Sequence, residues 1–231
     1  MKVLEINNLK KSYLSPEGER HLVVNTHHFS LGAGDQTALA GESGSGKTTF
    51  LNLIAGILKP DEGDITLAGK PLGPLSEGER DLVRAQTLGY IFQTFNLLQG
   101  YTALENVKLG MMFGRGVDEA YATDLLERVG LKNRLHYYPR QMSVGQQQRV
   151  AVARALANHP KLVLADEPTG HLDPVRAMES LELIRKICRE NGAALLLVSH
   201  DREVLAKFDR VENLGRINRI PTAAGRGRSR K

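Results

Sequence analysis

Gly41-Glu42-Ser43-Gly44-Ser45-Gly46-Lys47-Thr48 is the stretch on which the reading of this chain turns. Before it lies Gln36-Thr37-Ala38-Leu39-Ala40, short and apolar enough for a buried strand. After it, residues 47–57 place Phe50, Leu51, Leu53, Ile54 and Ile57 at helical spacing and stop before Lys59-Pro60-Asp61-Glu62-Gly63. The octapeptide satisfies every fixed position of the phosphate-loop pattern, in the strand, loop, helix order that the pattern needs. Glycines let backbone amides turn inward around phosphate groups, and a helix N-terminus favours negative charge. Lys47 can reach the β- and γ-phosphates, and the Thr48 hydroxyl suits magnesium. An ordinary glycine-rich turn has no reason to carry the lysine and threonine as well.

A phosphate loop demands an acidic partner, and Leu162-Val163-Leu164-Ala165-Asp166-Glu167 supplies an apolar strand ending in two acids. A parallel sheet delivers such strand ends to the ligand crevice. Asp166 can then assist magnesium while Glu167 polarises an attacking water. In isolation an Asp-Glu pair is more often a solvated strand end. Residues 194–199 form a second buried strand, separated from the first by a helix that opens at Asp173-Pro174. Towards the N-terminus, residues 3–9 and 22–31 alternate like strands, and the second ends in the Gly32-Ala33-Gly34-Asp35 turn. The middle, residues 102–157, holds helical patterns over 103–112, 117–129 and 144–156 and no convincing strand, so it reads as a helical insertion in a parallel α/β core.

Composition narrows the classes further. At 231 residues and 41% hydrophobic content the chain can bury a substantial core. Apolar runs such as residues 193–198 are too short to span a bilayer, and Glu5 interrupts the N-terminus before a signal-like stretch forms, so a cytoplasmic location is expected. Cys188, the single cysteine, falls in a helical apolar pattern and reads as a small buried hydrophobe. The adjacent His27-His28 should point to opposite faces of a strand, which argues against a histidine metal cluster. The net charge of +5 comes from the end of the chain: residues 216–231 hold six basic residues and no acid, leaving 25 basic against 26 acidic residues elsewhere. With Pro221, Gly225 and Gly227 among its arginines, residues 221–231 read as a basic flexible tail. Its default role is a solvated end, and weak contact with anionic lipid fits better than nucleic acid, which is not expected as a partner.

The phosphate loop and acidic strand alone indicate only the broad class of P-loop ATPases. Met142-Ser143-Val144-Gly145-Gln146-Gln147-Gln148-Arg149, followed by the helical residues 150–156, resembles the signature sequence of ABC-transporter ATPases. The resemblance runs to about Asp209 and implies an α/β fold: a P-loop, RecA-like core with a mainly parallel sheet, an antiparallel N-terminal β subdomain and a helical insertion subdomain. Residues 1–220 would form one ATPase domain, with 1–87 and 160–220 as the nucleotide-binding core and 88–159 as the helical signature subdomain. In family order, the resemblance implies that Tyr13 stacks on adenine and that Gln93 joins the site to a transmembrane partner. Asp173 would lie in the loop crossing the dimer interface, and His200 would be the switch histidine. The ATP contacts implied are Tyr13, Gly41, Glu42, Ser43, Gly44, Ser45, Gly46, Lys47, Thr48, Thr49, Ser143, Gly145, Gln146 and Asp173. Catalysis would rest on Glu167, His200, Lys47 and Gln93, and magnesium on Thr48, Gln93 and Asp166. Val144 stands where the family has the first of two glycines, and His171 where a small or amide residue is commoner.

Partners follow from the same resemblance. ATP would be sandwiched in a homodimer, with Ser143, Gly145 and Gln146 of one copy covering the γ-phosphate held by the other, at the cytoplasmic face of the membrane. A separate permease would receive the work. Phe95-Asn96-Leu97-Leu98 and Thr102-Ala103-Leu104-Glu105-Asn106-Val107 look like the group of lipoprotein-releasing, macrolide-exporting and heterocyst glycolipid-exporting systems, which makes export or lipid extrusion the expectation. Phe95, Leu97 and Leu98 either line the permease-docking groove or are simply buried. A DNA-repair or chromosome-organising ATPase would need a long coiled-coil insertion, and a translation factor a second cassette; neither is present. A module that gates an extracellular enzyme and moves no cargo stays open.

Overall fold

The computed structural model describes residues 1–42 and 44–219; Ser43 and residues 220–231, with the basic tail, lie outside the described residues. Strands β1 (Lys2–Leu14) and β2 (Arg20–Gly32) form a long antiparallel hairpin, and β4 (Glu62–Leu67) pairs with the other side of β1. Between them come β3 (Gln36–Ala40) and α1 (Lys47–Ile54). The short β5 (Lys70–Pro71) completes a four-stranded sheet in the order β2-β1-β4-β5. Then follow α2 (Glu77–Thr87), β6 (Leu88–Ile91), and the helices α3 (Ala103–Met112), α4 (Glu119–Arg128) and α5 (Val144–Leu156). The chain returns through β7 (Leu162–Asp166), α6 (Pro174–Glu190), β8 (Ala194–Ser199), α7 (Arg202–Leu205), β9 (Arg210–Asn213) and α8 (Leu214–Ile217). The second sheet is parallel, in the order β6-β7-β8-β3-β9.

That sheet is buried on both faces, which is why β7 and β8 read as unbroken apolar runs. Alternate residues go to opposite sides. Leu162, Leu164, Leu196 and Val198 face a core shared with α1, α2 and the antiparallel sheet, whereas Val163, Ala165, Leu195 and Leu197 face the helices α3 to α6. Phe50 of α1, fully buried, meets Phe29 of β2 edge to face at 5.9 Å and fastens the antiparallel sheet to the core. Truncating it to alanine would cost about 3–5 kcal/mol.

Several boundaries differ from the sequence expectation. Residues 88–91, assigned to the helical subdomain, are a strand of the parallel sheet, hydrogen-bonded beside β7. Four residues containing Gly89 carry too little periodicity to announce a strand. Helix α1 ends at Ile54 rather than Ile57, because the Gly56 and Ile57 amides fold back onto Leu53 O and Asn52 O. The hairpin continues past residue 9 to Leu14 through Lys10, Lys11 and Ser12, where pairing with β2 replaces apolar burial as the organising force. Phe95 and Leu97 are buried with Leu104 and Val107, and only Leu98 remains about half exposed. Those two residues are core, because the loop carrying them turns back under α3 and α5.

Candidate nucleotide site

Parallel strand order brings three separate pieces of sequence to one edge. β8 lies between β3 and β7, so the loop after β3, the acids after β7 and the His200 step after β8 emerge side by side at the carboxyl ends. Helix α1 begins there with Gly46, whose φ of 87° is left-handed and costs a glycine little. Every other described helix of eight residues or more has a side-chain N-cap; α1 has none and no acid in its first turn. With no side-chain cap among the described residues, its first amides and positive end suit an anion. Gly41 is favoured by close approach, since a Cβ there would lie 2.7 Å from Ser45 Oγ and displace that hydroxyl. That hydroxyl is buried with no partner in the described chain, a polar atom suited to a ligand's oxygen.

A cleft of about 650 Å³ opens at this edge, lined by Tyr13, Glu42, Gly44, Gly46, Lys47, Thr48, Thr49, Gln93, Asp166, Glu167 and His200, with Val23 beside them. Thr48 donates to Asp166 Oδ2 at 2.8 Å. The Lys47 ammonium donates to Gly41 O at 2.8 Å and Glu42 O at 3.0 Å and lies 3.2 Å from Glu167 Oε1. His200 Nδ1 sits 2.7 Å from that same oxygen, and Ser199 Oγ donates to Glu167 Oε2 at 3.2 Å. Glu167 itself has a φ of 44°, a strained value for a non-glycine residue, held by its amide on Val198 O at 3.0 Å. Burial pushes the Asp166 carboxyl above its ordinary value; the charge of Glu167 adds to this, and Thr48 and Lys47 oppose it.

Ser143, Gly145 and Gln146 are not in this cleft. They line a separate cavity of about 290 Å³ with Arg149 and Arg176, and the two cavities share no residue. Ser143 caps α5, accepting from the Gln146 amide while Gln146 Oε1 accepts from the Ser143 amide. Val144 is simply the first residue of that helix, with its side chain partly exposed. Asp173 caps α6 through the Arg176 amide at 3.1 Å and lines neither cavity. Gln93 reaches the main cleft on a loop whose Phe95 and Asn96 carbonyls each receive a bond of 2.6 Å from Arg154 of α5. Ser199 and Val23 carry no role from sequence alone. Ser199 could have been found only from the pairing of β7 with β8, which sets it beside Glu167.

Residues 24–170 match the ABC transporter family. The lipoprotein-releasing system ATP-binding protein LolD of Pseudomonas syringae pv. tomato is 44% identical over 216 residues, covering 92% of this chain and 94% of that protein. The macrolide export ATP-binding/permease protein MacB of Rhodopirellula baltica is 45% identical over 215 residues, which are 90% of this chain but 31% of MacB. Among solved structures, the ATP-binding cassette MJ0796, in a dimeric post-hydrolysis state bound to ADP and Pi, superposes with a TM-score of 0.82 at 34% identity, covering 91% of this chain and 93% of that one. A second dimeric structure of MJ0796 gives 0.82 at 35% identity. With an uncapped helix behind a phosphate loop and two acids beside it, the chain belongs to the ABC transporter family, as an ATP-binding and ATP-hydrolysing subunit.

Proposed function

We propose that this subunit hydrolyses ATP through Glu167, in a homodimer that drives a separate membrane permease from the cytoplasmic face of the inner membrane. The observation that carries the catalytic assignment is the convergence of Lys47, Ser199 and His200 on the one strained carboxylate. Polyphosphate offers the Lys47 ammonium a stronger anionic partner than Glu167, so nucleotide binding releases Glu167 Oε1 to accept a proton from water. Ser199 and His200 then keep that carboxylate aimed into the cleft, and His200, the most exposed of the group, meets the γ-phosphate side. Tyr13 and Val23 supply the wall for the base, and the α1 amides and Ser45 hydroxyl take phosphate oxygens.

The donor set suits magnesium: the Thr48 hydroxyl and Asp166 carboxylate are hard oxygen ligands in contact with each other, and the Gln93 side chain lines the same cleft. Few protein ligands are what a strongly hydrated ion needs, and when bound it neutralises charge on the β- and γ-phosphates. The separation of Ser143, Gly145 and Gln146 from the main cleft supports a second copy as their source at each site, and Asp173 follows Leu172, which lines the smaller cavity. A permease helix is supported by a groove of about 800 Å³ where Leu82 of α2 and Met112 and Phe113 at the end of α3 stand exposed. Likeness to LolD and MacB supports export or lipoprotein extrusion as the task. Six basic residues without an acid in residues 216–231 support a weak, salt-sensitive hold on anionic lipid, which vesicle cosedimentation reads.

Two substitutions test the catalytic assignment. Glu167→Gln should bind ATP, lose at least about a hundredfold in turnover and accumulate as a dimer on size-exclusion chromatography. Lys47→Ala should lose ATP binding as well as turnover. Wild-type turnover in Glu167→Gln would remove Glu167 from the chemistry.

A further inference from the structure

Asn218 lies just after α8, 4% exposed, about 170 residues beyond the phosphate loop in sequence yet in contact with it. Its side chain accepts from the Asn25 amide at 2.5 Å and donates to Val23 O at 2.9 Å, and the same nitrogen lies 3.5 Å from Ser45 O, a longer contact. β2 is the edge of the antiparallel sheet, so the outward Val23 carbonyl and Asn25 amide have no strand beyond them. A side-chain amide offers the same donor and acceptor as a peptide group, and Asn218 satisfies that edge in a strand's place. Its own backbone adds an antiparallel bridge to Thr26, while Arg219 N donates to Asn25 O at 2.8 Å and Asn25 Nδ2 to Arg219 O at 2.8 Å.

Val23 lines the cleft beside Tyr13, on the wall that would face the base; Ser45 and Gly46 belong to the phosphate loop. The two walls touch here, because a Cβ on Gly46 would lie 2.9 Å from Val23 O and 3.7 Å from Asn218 Nδ2. We propose that Asn218 is a positioning residue for the nucleotide: by bonding Val23, Asn25 and Ser45 together, it sets the spacing between the base wall and the phosphate loop. ATP gains from being held at both ends only if that spacing matches its length; a ligand held by the phosphates alone is indifferent to it. The inference rests on the ATPase reading, which the Lys47 and Glu167 variants test separately.

The experiment compares wild type, Asn218→Ala and Asn218→Asp in the full chain, measuring KM and kcat for ATP and inhibition by inorganic tripolyphosphate. Asn218→Ala should raise KM about tenfold, the loss of two or three modest hydrogen bonds, with kcat and the tripolyphosphate inhibition constant within about twofold of wild type. Asn218→Asp is isosteric and keeps the bond from Asn25, but turns a carboxylate oxygen onto Val23 O and Ser45 O; it should raise KM at least as much. Should the alanine variant fail to fold, the aspartate variant decides alone. An unchanged KM in a folded variant, or equal weakening of ATP and tripolyphosphate, would overturn the proposal.

Discussion

Asp166 sits in an environment that works against its charge. It is 7% exposed, its neighbour Glu167 is another carboxylate, and burial is the largest cause of its raised pKa. For a carboxyl raised on folding, the stability it contributes is present in full below the ordinary aspartate range and is lost as pH rises through the raised value. At neutral pH the ionised Asp166 is therefore a cost to the folded, ligand-free chain; the proposed role of holding magnesium beside phosphate would account for it. An asparagine side chain in its place would still accept the Thr48 hydrogen bond, without the charge. Asp166→Asn should consequently raise Tm at pH 7 by roughly 2 °C or more, lose that advantage near pH 4, and abolish hydrolysis. Thermal melts of the ligand-free proteins at both pH values check it, and an equal or lower Tm at pH 7 contradicts it. The same contest keeps Cys188 a small apolar side chain in the core: burial pushes its thiol up to about 12.

Helix termini divide into those that only hold the fold and those that also line a cavity. Thr102 and Ser143 both form capping boxes, with Glu105 and Gln146. The Thr102 box sits behind α3, where buried Asn106 also gathers the Leu98, Tyr101 and Thr102 carbonyls. The Ser143 box opens onto the smaller cavity. Removing either hydroxyl with alanine should cost about 1 kcal/mol of stability. Thr102→Ala should otherwise leave ATP-driven dimerisation in the Glu167→Gln background unchanged, whereas Ser143→Ala should weaken it severalfold. Equal dimerisation constants for the two would confine Ser143 to its cap. Helix α1 is the contrasting case, since its lack of a cap is what makes its N-terminus useful.

Among the described residues, Lys47 and Glu167 line one cavity and Ser143 and Gln146 another. A two-fold arrangement that sets the first cavity of each copy against the second of its partner brings both together twice. Lys47→Ala and Ser143→Arg should each be inactive alone. Mixed in equal amounts they should recover at most about a quarter of wild-type activity, since half the dimers are mixed and each has one intact site. No recovery on mixing would mean that both cavities serve within one copy. None of the described helices is long and apolar enough to cross a membrane. Arg154 ties the Phe95 and Asn96 carbonyls of the Gln93 loop to α5.

Residues 41–48 and 162–167 were legible in sequence because their chemistry depends on local order: a loop between strand and helix, two acids at a strand's end. Helices α3 and α5 were equally legible, since their bounds follow from a local apolar period and a capping residue. β6 was not, because four residues become a strand only when β7 lies beside them. Phe95 and Leu97 were open between core and surface until the packing of α3 and α5 covered them. The shared grip of Lys47, Ser199 and His200 on Glu167, the distance of Ser143 from that grip, and the reach of Asn218 to Ser45 join residues far apart in the chain. Local pattern encodes which groups are available; their meeting depends on strand order and burial, which are properties of the folded chain.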